Sequence, residues 1–489
     1  MPCASLNTAA RRVVPVIVSF ATVPGRLEVT LPSIDDFTTW EPLLRLVRAG
    51  NAQSLAAPGG QVAGMVSRGA WSVPLPRRMP PPGRASQVED MQDEFDAVNR
   101  VRSALTDDGL DSISFVVEMS STGHTALHLL NLGPAAEVGL GPYPGSLILV
   151  EGAVPEPWRR LPDPVPGAVP APSVDLSLLE RTLRERIADA TGATEAEIAA
   201  AETRLGVALP DELKVLYRVT RARWQDWGDD YAAAERVSRA VGCELFPLDE
   251  LYIADAPSRP CPWRFAATEA VATSSDAAVQ GMVGSPGWIA FGDNGGGDRI
   301  AIDLTPGPRG HVGQIIVLDH EQNIGASLLA DSLTDMVVRE RTDWYASRRA
   351  DQPPLVARVN IGSLTSIEAA AHPDLEVLSI GVWDGEPLSL APVSGLPRLR
   401  TLTAYPGTLA DPLEIAKLTG LEFLELGPEE WRVLLDAGAV PSSLSAAAIE
   451  VHGNRPVLPI VAIANEILSL WDRPPIAQTI LEGHLGPGV

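Results

Sequence analysis

A chain of 489 residues is too long for one hydrophobic core, and about three domains are expected. A hydrophobic share of 45% excludes a disordered chain, and a net charge of −24, spread over every region rather than held in one tail, argues against nucleic acid and for basic partners. Three cysteines, Cys3, Cys243 and Cys261, give no disulfide framework and no CxxC, which fits a reducing, cytoplasmic setting.

From the N-terminus, residues 12–32 read as two strands joined at Pro24–Gly25, a reading that explains more of RRVVPVIVSFATV than a signal peptide does. Residues 40–47 read as a short helix, 51–85 as a Gly/Pro/Ala-rich loop, and 88–105 as a helix carrying Met91, Phe95, Val98 and Val101 at helical spacing. Strands are expected at 112–119, 125–130 and 146–150, which makes residues 1–152 a small α+β domain. His124 and His128 stand four apart within it. On a strand they share a face, but no catalytic Glu of an HExxH motif and no third ligand accompany them, so no metal is assigned.

Seven prolines between Pro155 and Pro172 mark 153–174 as a linker, with Trp158 available to dock on a neighbour. A helical stripe follows at Leu176, Leu179, Leu183 and Ile187. A capping box, Thr194 with Glu197, then starts a helix that ends at Gly206, and Pro210 opens a third. In GWIAFGDNGGGDRIAID, Ile289 and Phe291 alternate, as do Ile300 and Ile302. The spacing predicts a hairpin of half-buried strands in which DNGGGD is the turn. The turn lacks the GxxxxGK[ST] of a phosphate cradle, and Asp293 and Asp298 miss calcium-loop spacing, so neither ligand is assigned. Asp319-His320-Glu321 reads as a solvated turn, because no nucleophile is marked by its context.

The segment EAEIAAAETRLGVALPDELKVLY, with Leu205–Gly206, Leu209–Pro210 and Leu216–Tyr217, resembles the opening of the SUKH superfamily. That group includes the yeast cell-wall-assembly regulator and many bacterial immunity proteins. The later segments IAFGDNGGGDRIAID and IIVLDHEQ continue the resemblance in the right order, and a helix is expected near 328–341. The chain departs from the family in YRVTRARWQDWGDD, where an Asn-Gly pair is usual. The insertion carries Trp224, Trp227, Asp229 and Asp230. The resemblance implies a surface that caps a toxin or another protein, with no catalysis.

Beyond it, DLEVLSI, RLRTLTA and GLEFLEL repeat at 24 and then 22 residues, between Leu375, Leu399 and Leu421. This period resembles leucine-rich repeats. Alternate residues of such strands, Val377, Ser379, Thr401, Thr403, Tyr405, Phe423 and Glu425, should line an inner, partner-binding face. Residues 457–471 read as a packed terminal helix. The expected fold class is therefore multidomain α+β, with a SUKH-like antiparallel sheet and helices at 175–345 and a short leucine-rich-repeat-like solenoid at 354–471. Expected partner contacts are Trp224, Trp227, Asp229, Asp230, Asp293 and Asp298, together with the inner-face residues. No cofactor, metal or membrane contact is assigned. A regulatory scaffold without a toxin, or an enzyme whose site lies in residues 1–152, are the alternatives.

Overall fold

The computed structural model describes residues 33–76, 91–138, 144–228, 230–322, 324–339, 355–452 and 455–486. The expected strands at 12–32 lie outside them. Among the described residues the chain is α+β, with three sheets.

The first sheet is antiparallel, in the order Ala477–His484, His124–Asn131, Ser112–Met119, Gln61–Ser67, Trp71–Ser72. Helices Phe37–Gly50 and Gln92–Asp107 cover one face. Trp40 and Phe115 meet there edge-on at 5.2 Å. The segment expected as loop at 51–85 supplies the strand Gln61–Ser67. Its glycine hid it: a Cβ at Gly64 would lie 2.6 Å from the Phe115 ring, so the sheet needs a residue there that carries no strand signal.

In the middle domain, the helix Leu176–Arg186 starts at the Asp175 carboxylate. The helix Glu195–Leu205 has its capping box formed, and Gly206 ends it at φ 71°. With Asp211–Val219 these helices pack on one face of an antiparallel sheet ordered Ser327–Ala330, Gln314–Leu318, Arg299–Asp303, Trp288–Asp293, Glu244–Leu245. The hairpin strands were expected half-buried, yet they are buried on both faces. Ile289, Phe291, Ile300 and Ile302 face the helices, whereas Trp288, Ala290 and Ala301 lie in a second cluster with Met282. The expected terminal helix of this domain is Leu333–Arg339, after the strand Ser327–Ala330.

The third sheet stacks Val356–Val359, Val377–Ile380, Thr401–Ala404, Phe423–Leu426 and Ala446–Ile449 in parallel. Val377, Thr401, Phe423 and Ala446 stand in one register row. Leu375, Leu378, Leu399, Leu402, Leu421 and Leu424 fill the outer core, so the spacing of 24 and 22 residues does return the chain to the same height.

Sheet pairing crosses the domain limits drawn from sequence. Pro144–Leu149, expected inside the first domain, pairs with Ala446–Ile449 and extends the parallel stack. The helix Val457–Leu470 forms as expected, but it is not the last element: Ala477–His484 follows and becomes an edge strand of the first sheet. Val116 and Leu130 of that sheet share a core with Ile460 and Ala464 of the helix. Nor is the proline-rich segment a free tether. It forms a short helix, Glu156–Arg159, and the Trp158 indole donates to the Arg259 carbonyl at 2.9 Å.

Candidate functional site

The glycine turn joins the strands Trp288–Asp293 and Arg299–Asp303. Its amides are already engaged: Gly295 and Gly297 donate to the Asp293 carboxylate, and Gly296 and Asp298 to the Asn294 side-chain oxygen. Gly295 and Gly297 take φ of 80° and 106°, which the turn requires. Asp293 also pairs with Arg299, and Asp298, 2% exposed, accepts from His320 Nδ1 at 2.7 Å. This hydrogen bond raises the His320 pKa above its ordinary value. Asp293 and Asp298, expected as partner contacts, thus shape the turn, and no amide is left over to cradle a phosphate.

A hollow of about 290 Å³ lies on one side of the turn, lined by Tyr252, Arg259, Arg299, Asp319 and His320 among others. Ligand atoms of Asp298, Asp319 and His320 come within 4.8 Å of one another there. Two guanidiniums line the same hollow and Asp298 is spent on His320, an arrangement unfavourable to a cation. The Arg259 guanidinium donates to the carbonyls of Val283, Gly325, Asp319 and Gln322, which makes it a clamp on the surrounding loops.

On the other side, a groove of about 790 Å³ runs between helices Trp224–Trp227 and Tyr231–Val241 and the loop after strand Glu244–Leu245. Trp227, Tyr231 and Phe246 contribute aromatic surface, and Glu235, Glu244, Asp249 and Glu250 stand along it beside Arg223; Glu235 pairs with Arg239 at 2.5 Å, and Arg299 lies over the Phe246 ring. Arg223 itself pairs with Glu197 at 3.2 Å. The family departure noted in the sequence builds this wall. Asp230 caps the helix Tyr231–Val241, accepting from Ala233, and Trp227 packs half-buried against the domain core. Asp229 and the Trp224 side chain lie outside the described residues.

The inner face of the parallel stack was expected to be free for a partner. The structure covers much of it with residues 263–269 of the middle domain. Trp263 stacks on Phe423 at 6.2 Å, Arg264 pairs with Glu425 at 2.5 Å, and the Thr401 hydroxyl donates to the Ala267 carbonyl at 2.7 Å. Beneath, the buried Glu376 carboxylate gathers Arg160, Arg398 and Arg400. Val377 and Thr403 are buried too, and Thr403 donates to Ser379 at 2.9 Å. Ser379 and Tyr405 stay half-exposed, the latter tilted on His452 at 4.5 Å. A repeat pattern reports which residues alternate inward. It carries no signal for a segment more than a hundred residues earlier that folds over them.

His128 is buried and its Nδ1 contacts Gln478 at 2.5 Å, while His124 is exposed. Burial pushes the Cys243 thiol up to about 12 and the Cys261 thiol up to about 11, far from a reactive thiolate. Sequence reasoning missed Tyr231, Glu244, Phe246, Asp249 and Glu250. The run CELFPLDE holds three acidic residues around one aromatic, Phe246, which was the available clue.

The middle domain thus sets helices on one face of an antiparallel sheet, with an open groove lined by acidic residues beside a turn whose amides are all engaged. Residues 192–339 match the model of the SMI1 / KNR4 family (SUKH-1), in agreement with the superfamily resemblance read from the motifs. A stretch of 67 residues is 39% identical to a glucan synthesis regulatory protein of Neurospora crassa. It covers 14% of this chain and 13% of that protein's length.

Proposed function

We propose that this chain is a non-catalytic, cytoplasmic protein-binding protein whose SUKH-1-type domain binds and neutralises a basic effector, in the manner of the superfamily's immunity proteins. The observation that carries this reading is the groove. It is open, aromatic and acidic, while the competing inner face of the stack is largely occupied by the chain itself. A net charge of −24 adds a long-range field that steers a basic partner inward. A second reading, a regulatory scaffold with no toxin, draws on the likeness to the glucan synthesis regulatory protein.

The test is co-expression with the product of the neighbouring gene, followed by association kinetics. A toxin-bearing neighbour that co-purifies, with an on-rate falling roughly tenfold or more from low to high salt, is the expected result. A salt-independent on-rate would remove the electrostatic part of the reading. A non-toxic partner would favour the scaffold.

A further inference from the structure

We propose that residues 262–269 are a built-in plug on the inner face of the parallel stack, and that the face beneath takes a partner segment presenting an aromatic residue followed by arginine. The proposal goes beyond the groove-based reading and does not depend on it.

The segment's contacts are those of a bound peptide. Its ring, Trp263, stacks on Phe423, and the indole donates to the Ala153 carbonyl. Its cation, Arg264, pairs with the buried Glu425. Its Ala267 carbonyl accepts from both the Thr401 hydroxyl and the Arg400 guanidinium. The stack thus supplies an aromatic floor, a carboxylate and two donors that read backbone, and this set fits an aromatic–arginine pair wherever it comes from.

Three features make the plug displaceable. Trp263 and Ala267 share their apolar cluster with Phe423, Ala446, Ala448, Leu149 and Ala153, all outside the middle domain, and neither belongs to that domain's own cores. Lifting the segment therefore leaves those cores filled. It also lies within residues 254–287, which contribute no strand to any sheet, as a single turn without a side-chain cap. The Trp158 indole on the Arg259 carbonyl and the Arg160 guanidinium on the Val271 carbonyl hold the chain on either side, so the lifted piece stays tethered. Finally, the cover is incomplete. Ser379 and Tyr405 of the same face stay half-exposed, and a longer partner segment gains contacts there that the plug does not make, which offsets the advantage of a tethered competitor.

The probe is the capped octapeptide of residues 262–269, titrated by fluorescence anisotropy into the full chain and into a vacated variant, Trp263→Ala/Arg264→Ala. The plug lowers the apparent affinity of the wild type to the fraction of time it is open, so the variant is expected to bind the peptide about tenfold or more tightly. Within the variant, alanine for the peptide's tryptophan or glutamine for its arginine should each weaken binding about fivefold or more. Glu425→Gln added to the variant should abolish the preference for arginine over glutamine, an effect that loss of packing alone would not produce. Equal affinity of wild type and variant, no binding to either, or indifference to the peptide's tryptophan would overturn the plug and leave a fixed contact between domains. If the double variant does not fold, Arg264→Gln alone, at a partly exposed side chain, takes its place with an expected gain of about threefold or more, and no gain would equally overturn the plug.

Discussion

Glu425 carries its charge in the wrong place for a stable carboxylate. Burial raises its pKa to about 7, Arg264 at 2.5 Å only partly offsets that, and Glu450 adds to the rise. The folded-state pKa is above the ordinary 4.5, so the folded protein is favoured with the proton on. The net stability this group contributes is therefore greatest below about pH 4.5, where the carboxyl is neutral in both states, and declines as pH climbs toward 7 and the buried carboxylate must ionise, by an amount on the order of 3 kcal/mol. Glu425→Gln removes this dependence. Its melting temperature relative to wild type should rise between pH 5 and pH 8, and a flat difference would refute the assignment. A second residue-scale expectation concerns the turn. Gly297→Ala places a Cβ at φ 106° and 3.3 Å from the His320 ring, at an expected cost of about 1–3 kcal/mol in denaturant unfolding. Gly296→Ala, which has no positive φ, should cost clearly less. The sequence DNGGGD made a turn legible. Which glycines are obligatory depends on backbone angles and on the neighbour His320, neither of which is written in that run.

Among the elements, the short helix Trp263–Ala266 has an importance out of proportion to its length. It closes the inner face through Trp263 on Phe423, and it is backed by Arg400 donating to the Ala267 carbonyl at 3.1 Å. Trp263→Ala should cost about 3–5 kcal/mol of local stability. Hydrogen exchange should rise across residues 263–269, with the helix Glu195–Leu205 unchanged; exchange that stayed slow at 263–269 would show that the docking does not rely on the ring. The LxxLx(L/A) pattern made the parallel strands readable because core-facing leucines repeat at a fixed period. The face they turn inward was misjudged, because periodicity records the burial a strand needs from its own repeat and not the burial that another domain supplies.

Across the whole molecule, two strands tie the regions together. Pro144–Leu149 leaves the first domain to extend the stack, and Ala477–His484 returns from the far end to pair along the full length of His124–Asn131. A chain ending at residue 474 would leave that strand as an open edge and uncover Leu481 and Leu485, which pack on the first core. The expected outcome is a lower melting temperature and concentration-dependent association of the truncated chain, read by light scattering. A truncated chain that melts like the full one would show that the returning strand is dispensable.

What the sequence by itself determined is local: caps such as Thr194 with Glu197, turns at glycine, the alternation of buried residues and the SUKH-like order of segments. Each is written in residues a few positions apart, and the chemistry of capping and periodicity acts over that distance. Only the tertiary structure decided which strand joins which sheet, that the inner face is covered, and that Trp227, Phe246 and Glu250 share one groove. Those outcomes depend on contacts between distant segments, where burial is settled by what arrives from elsewhere in the chain.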